Sequence, residues 1–356
     1  MKLNRLFAML ALTGLFISCT SDDSSTPDVP KGSFDNGVLV LNEGGFNFGN
    51  ASVSFLSNDF MLENNIFSRV NSGAVLGDTG QDIGLNGELA YIVVNNSHKI
   101  EVVNRYSFVK VATITTGLDN PRYIAFYNNK AFVTNWGSGE VATDDFVAVI
   151  DLSTNTVTSS IPVAEGPEKI IEENGKLYIA HSGGFGYGST VTVLNASNNS
   201  FITSIPVGDV PNSLDVEDDK LYVLSGGKPA FAGSETAGSL HVINLTNNNV
   251  TATHNFALGQ HPSHLTIEDD AVYYVEDKSV YKMSMSATVL PEQPLFTTQA
   301  NGAYSIYSFA IEDSRIYLGN AGNYNSNGTM QVFSLTGQLL NTSTVGVIPT
   351  GFYFND

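Results

Sequence analysis

The residues of this 356-residue chain that could do chemistry are aromatic rings and amides set among glycines, not a catalytic constellation. Stretches 42–50 (NEGGFNFGN), 135–145, 181–188 (HSGGFGYG), 225–238 and 320–325 (NAGNYN) each combine glycine with Phe, Trp or Tyr. Glycine lets a backbone approach a ligand closely, and an aromatic ring offers large contact area with little side-chain entropy to lose. The candidate ligand-binding residues are therefore Asn42, Phe46, Phe48, Asn135, Trp136, His181, Phe185, Tyr187, Phe231 and Tyr324. Arg122 joins them as one of five polar residues, with Glu168, Asn212, Ser263 and Thr350, at one recurring position.

The titratable residues point away from catalysis. His181, His241, His254, His261 and His264 are scattered, only the last two are close in sequence, and no HExxH spacing accompanies them, so no metal site is expected. A G-x-S-x-G elbow is absent. Asp144-Asp145 and Asp218-Asp219 read as solvated turns, since adjacent side chains on a strand diverge. No catalytic residue and no resident cofactor are expected, and the chain reads as a non-enzyme.

The elements that must position these residues come from a repeat. Residues 167–180 read PEKIIEENGKLYIA; 211–224 read PNSLDVEDDKLYVL, 121–134 PRYIAFYNNKAFVT, 262–275 PSHLTIEDDAVYYV and 306–319 IYSFAIEDSRIYLG, with 80–93 a looser copy. Each phrase is two short strands about an Asn/Asp/Gly turn. A third strand follows (99–105, 146–152, 190–196, 239–245, 279–285, 329–335), then a fourth such as 158–163 or 200–207. Four strands per unit at a spacing of roughly 41 to 51 residues predicts propeller blades.

The first unit lacks its opening strand and the chain ends on one, PTGFYF at 349–354, so the termini complete one blade together. Opening strands at Gly80, Pro121, Pro167, Pro211, Pro262, Ile306 and Pro349 predict an all-β, seven-bladed propeller over 34–356, its ring closed by the C-terminal strand. The long glycine-aromatic stretches are second-to-third-strand loops, which emerge together around one mouth of the axial channel. The corresponding loops at 95–98 and 276–278 are short.

Residues 1–18 read as a signal peptide, with Lys2 and Arg5 before an apolar run too short to span a bilayer. The sole cysteine, Cys19, resembles a lipobox acceptor, and 19–33 form an acidic, flexible tether. With no second cysteine, the mature domain must be held by packing. Loss of Lys2 and Arg5 leaves 14 basic against 35 acidic residues, a formal charge of −21, which disfavours nucleic acid and leaves the lipid as the membrane contact. The acidic cluster after Cys19 resembles the surface-export signal of Bacteroidetes lipoproteins, implying an outer-membrane, surface-exposed location.

The repeated P-x-x-I/L…K-L-Y-V phrase is similar to the YncE-like propellers, and LNEGGFNFGNASVSF at 41–55 resembles the start of the Bacteroidetes surface lipoproteins of that group. Some members capture vitamin B12 and related corrinoids above a TonB-dependent cobalamin transporter. The resemblance implies a corrinoid as transported ligand, that transporter as partner, and a protein monomeric by itself. Two alternatives share the fold: a propeller docking a protein or glycan, and a lactonase-like hydrolase using channel residues of the Arg/Glu/His type.

Overall fold

The repeating phrase folds as two strands joined by a tight turn whose residues sit in the left-handed region: Asn128, Asn174, Asp218, Asp219, Asp269, Asp270, Asp313 and Ser314 all have positive φ. Asn and Asp tolerate that conformation better than other non-glycine residues, which explains their recurrence at the tip of each hairpin. The computed structural model describes residues 30–139, 141–298 and 306–356, of which Lys31–Asp356 form one compact unit. The signal-peptide and Cys19 readings lie outside the described residues.

Seven four-stranded antiparallel sheets follow one another along the chain. Blade 1 pairs Pro349–Phe354 with Gly37–Asn42, then Ser52–Ser57 and Leu62–Glu63. Blades 2 to 7 open with Gly80–Asn86, Pro121–Tyr127, Pro167–Glu173, Pro211–Glu217, Ser263–Glu268 and Ser308–Glu312. Each opening strand also packs against those of the adjacent blades. The seven-bladed, four-stranded reading holds, and the closing blade is built from both ends of the chain.

Second strands such as Leu89–Val94 and Leu177 within Lys176–His181 are buried on both faces, because each blade is covered by a neighbour on either side. That explains their unbroken apolar runs. The core lies between blades: Tyr91, Val93 and Ile100 pack against Ile124, Ala131 and Ile150 of the next blade, and Tyr178 and Val193 against Leu221 and Ile243. Two of the buried tyrosines keep their hydroxyls near an amide, Tyr91 to Asn155 and Tyr178 to Asn248, each at 3.4 Å. The outermost strands of blades 1 and 6 are only two residues long. In blade 1 a five-residue helix, Ile66–Val70, follows and buries Ile66 and Phe67 instead; one turn of helix is too short to leave a periodic signal in sequence.

In six of the seven blades the opening strand carries one extra residue near its start relative to its partner, between Gly80 and Asp82, Pro121 and Ile124, Pro167 and Ile170, Pro211 and Ser213, Ser263 and Thr266, and at Pro349–Gly351. Such a bulge breaks strict alternation and re-aims side chains. The residue just before the strand is left-handed at Thr79, Asn120, Gly166, Val210 and Ile348. Its carbonyl accepts from the residue after the second strand, as in Gly226 to Val210 and Glu43 to Ile348, both at 2.8 Å.

The closure is locked by Asn355, which is fully buried. Its backbone exchanges bonds with Asn36 and Gly37, both 2.8 Å, while its side-chain amide donates to the carbonyls of Phe34 and Arg105 and accepts from the Arg105 guanidinium. Asn355→Ala leaves those carbonyls and the guanidinium without that partner and should lower unfolding free energy by about 2 kcal/mol, read as a shifted urea midpoint with unchanged slope.

Candidate functional site

The bulges decide what faces the axis. Where alternation would send one residue of each opening strand inward, the extra residue allows two neighbours to line the channel: Gln81 and Asp82, Arg122 and Tyr123, and Thr350 and Gly351. Together with Glu43, Lys169, Asn212, His264, Tyr307 and Tyr353 they enclose a polar shaft of about 360 Å³.

The shaft is cross-linked from blade to blade. Arg122 forms a two-pronged ion pair with Glu168, Nε to Oε2 at 2.8 Å and Nη2 to Oε1 at 2.6 Å, and its guanidinium lies over the Trp136 ring at 4.0 Å. Trp136 in turn meets Phe185 edge-on, with centroids 5.7 Å apart. Asp82 accepts from the Ile124 N–H and the Tyr353 hydroxyl, each at 3.0 Å, and Glu43 accepts from the Tyr307 hydroxyl at 2.7 Å. Burial pushes both carboxyls above their usual range, against the lowering pull of these donors and of nearby Lys169 and Arg122. Gln81 donates to the Tyr123 hydroxyl at 3.0 Å, and the Lys169 ammonium lies 4.0 Å from the Tyr123 ring centre.

His264 and Tyr307 also border a second, larger and mostly apolar cavity of about 650 Å³, lined besides by Gly259, His261, Ser263, Glu276, Asp277, Ile306 and Tyr324. The two spaces therefore meet along one wall.

The residues singled out from sequence divide into three groups. Phe46, Phe48, Phe185 and Phe231 are 65%, 75%, 79% and 86% exposed, and Tyr187 is 44% exposed. They stand out from loops at the mouth. Arg122 lines the shaft and Tyr324 the larger cavity, with Tyr324 edge-on to Tyr307 at 5.8 Å, while Trp136 lies over Arg122.

The third group, Asn42, Asn135 and His181, corrects the expectation of amides and imidazole turned to a ligand. All three end second strands and are buried. The Asn42 amide donates to the Val40 and Ser52 carbonyls and to Ser54 Oγ. Asn135 accepts from the Asp119 N–H at 2.9 Å and donates to the Val133 carbonyl at 2.8 Å. His181 donates from Nδ1 to the Glu165 carbonyl at 3.3 Å and accepts the Thr192 hydroxyl at Nε2, 2.9 Å. These side chains tie the loops to the blade below, because a strand end buried under a loop needs partners for its polar groups.

Of the polar ring expected after the recurring proline, Arg122 and Glu168 pair with each other, Asn212 donates to the Pro262 carbonyl at 2.9 Å, Ser263 borders the apolar cavity and Thr350 faces the shaft. Sequence reasoning missed Glu43, Gln81, Asp82, Tyr123, Lys169, His264, Tyr307 and Tyr353. A signal existed: the third residue of the phrase is Asp82, Tyr123, Lys169 and His264 in four copies, polar or aromatic where an alternating strand would turn toward its neighbours. Among the described residues no group of three or more His, Cys, Asp or Glu side chains is placed to hold a metal ion.

Two measurements probe these contacts. Glu168→Ala should destabilise by about 3 kcal/mol by leaving Arg122 buried and unpaired, whereas Arg122→Met combined with Glu168→Leu should recover most of that loss in urea unfolding. Burial holds the His181 imidazole down at about 4, against the raising effect of the Glu165 and Ala164 backbone. Between the ordinary histidine value near 6.5 and about 4, the unfolded chain takes up a proton that folded His181 refuses, so stability falls as pH falls through that window. The stability difference between the native protein and His181→Gln should shrink across it by ~3 kcal/mol.

Solved structures similar to this fold include a quinoprotein alcohol dehydrogenase-like protein from Bacteroides thetaiotaomicron, 13% identical, covering 91% of this chain and 79% of that one with a TM-score of 0.66. A computationally designed protein, Ika8, is 13% identical over 88% of each chain with a TM-score of 0.57. Hydrazine synthase from Kuenenia stuttgartiensis is 14% identical over 76% of this chain and 88% of that one, with a TM-score of 0.56. At such identities the likeness is one of fold. No curated protein sequence matches significantly. A family model does, over residues 36–315, from just before the strand Gly37–Asn42 of blade 1 to the start of the second strand of blade 7, and by that match the chain belongs to the DUF5074 family, a domain of unknown function.

Proposed function

We propose that this propeller is a ligand-capturing protein of the cell surface, and that its ligand is a corrinoid passed on to a TonB-dependent outer-membrane transporter. The observation that carries the reading is the mouth. Four phenylalanines, each more than three-fifths exposed, stand on the loop face that also holds the 650 Å³ mostly apolar cavity and the polar shaft beside it. Several large apolar rings presented on one face beside a cavity mark an interaction site more than the same rings scattered over the surface would. A corrinoid has a broad ring with apolar edges and many amide arms, which suits aromatic contact at the rim and hydrogen bonding toward the shaft. In this reading Cys19 carries the lipid anchor, the acidic tether holds the domain outside the outer membrane, and no chemistry is performed on the ligand.

A capture role also agrees with the state of the one arginine in the shaft. Arg122 is enclosed by Glu168 and Trp136, so it is poorly disposed to polarise a lactone carbonyl.

Purified protein mixed with cyanocobalamin should carry its visible absorption through gel filtration. Phe185→Ala and Phe231→Ala should each weaken binding by roughly tenfold, as aromatic anchors do, while leaving the melting temperature unchanged, because both rings are solvent-exposed. Protein eluting without colour would overturn the corrinoid reading. Retention of a protein or glycan through the same two phenylalanines would instead assign the face to partner docking.

A further inference from the structure

The shaft contains charged groups of both signs, and nearly all are already matched. Arg122 and Glu168 satisfy each other. Asp82 accepts from the Ile124 N–H and the Tyr353 hydroxyl, and Glu43 from the Tyr307 hydroxyl. Lys169 differs. An ammonium has three donors, and among the described residues Lys169 meets the ring and hydroxyl of Tyr123 and forms no close ion pair, Asp82 and Glu168 acting on it only through their charge. Its remaining donors line the shaft together with His264, which makes no hydrogen bond to another described residue. His264 belongs equally to the apolar cavity next door.

We propose that the two adjoining cavities, which share His264 and Tyr307, form a binding site for an amphiphilic carboxylic acid, its apolar body against Ile306 and Tyr324 and its carboxylate between Lys169 and His264. This site lies beneath the exposed rim and goes beyond the corrinoid reading.

Three features support the assignment. The two walls differ, with Ile306 and Tyr324 lining only the larger cavity, beside His261, Ser263, Glu276 and Asp277, and Lys169, Asp82 and Gln81 only the shaft. An acceptor bearing negative charge is the natural match for a desolvated ammonium, since buried donors left without partners are costly. The charge of Lys169 persists in place: burial pulls its pKa down, but Tyr123, Asp82 and Glu168 carry it above the ordinary lysine value. Of the other carboxylates around the two cavities, Asp82 and Glu43 are raised in pKa by burial and already face tyrosine hydroxyls, while Glu276 and Asp277 line the larger cavity. The acidic surface repels anions at long range, but that field is screened within about 10 Å at ordinary ionic strength, so the local ammonium dominates inside.

A matched pair of probes tests this on the full chain. By calorimetry at neutral pH, 2-naphthylacetate should bind roughly tenfold or more tightly than the neutral isostere 2-naphthylacetamide, and acetate alone should bind far more weakly than either. Lys169→Gln should abolish the preference for the acid over the amide, and Lys169→Arg, which keeps the charge, should retain it. Equal affinities for acid and amide in the native protein, no binding of either, or a preference that survives Lys169→Gln would overturn the proposal. The outcome is separable from the cobalamin experiment: a protein that ignores cobalamin yet prefers the acid loses the corrinoid reading and keeps this site.

Discussion

The antiparallel pairing of the last strand, Pro349–Phe354, with Gly37–Asn42 is the interaction on which the molecule depends. Without it, the blade facing blades 2 and 7 would lack its inner strand and the ring would present open sheet edges at its centre. Backbone groups on such edges would have to find water or another chain. With it, seven inner strands meet about one axis, and all the loops that join second to third strands emerge at one mouth. Asn355 completes the seal by joining Phe34, Gly37 and Arg105, so the last residues of the chain hold the first described ones.

Ring closure creates a problem and a use at the same place. A central shaft cannot be packed like the spaces between blades, because its walls converge from seven directions and leave a volume lined by strand starts. Here the lining is polar, and its groups are arranged in bridged sets that span blades: Arg122 with Glu168, Asp82 with Tyr353, Gln81 with Tyr123, Glu43 with Tyr307. These bridges tie blades 1, 2, 3, 4 and 7 together at the axis. Between blades the forces are different, with apolar residues such as Tyr91, Ile124 and Ala131 interlocked in a dry interior.

The mouth has a similar division of labour. Residues at the ends of second strands, Asn42, Asn135 and His181, turn down into the protein and anchor the loops. The glycine-rich segments between them rise away, carrying Phe46, Phe48, Phe185 and Phe231 into solvent. Trp136 links the two levels, since it stacks on Arg122 below and meets Phe185 above. Contact at the rim and contact in the shaft are thus mechanically adjacent.

Much of this was legible in the chain. The period of the phrase, the fragment of a blade at each end and the Asn/Asp turns determine the number of blades and their closure, because each is a local signal repeated until chance is excluded. The loops carrying exposed phenylalanines were legible for the same reason: glycine and aromatic residues far from any strand pattern have no core to enter. What only the tertiary structure decided is which polar residues meet. The inner-strand bulges turn Asp82, Tyr123 and Lys169 to the axis, and a one-residue insertion in pairing register has no signature in the sequence of a single strand. Arg122 finds Glu168 46 residues away, and Tyr353 finds Asp82 271 residues away. Such partners are fixed by the geometry of the closed ring, which sets the opening strands of neighbouring blades side by side and brings the last strand of the chain against blade 2. Asn42, Asn135 and His181 show the converse: their residue types suggested a ligand, and burial at the strand ends gave them backbone partners instead.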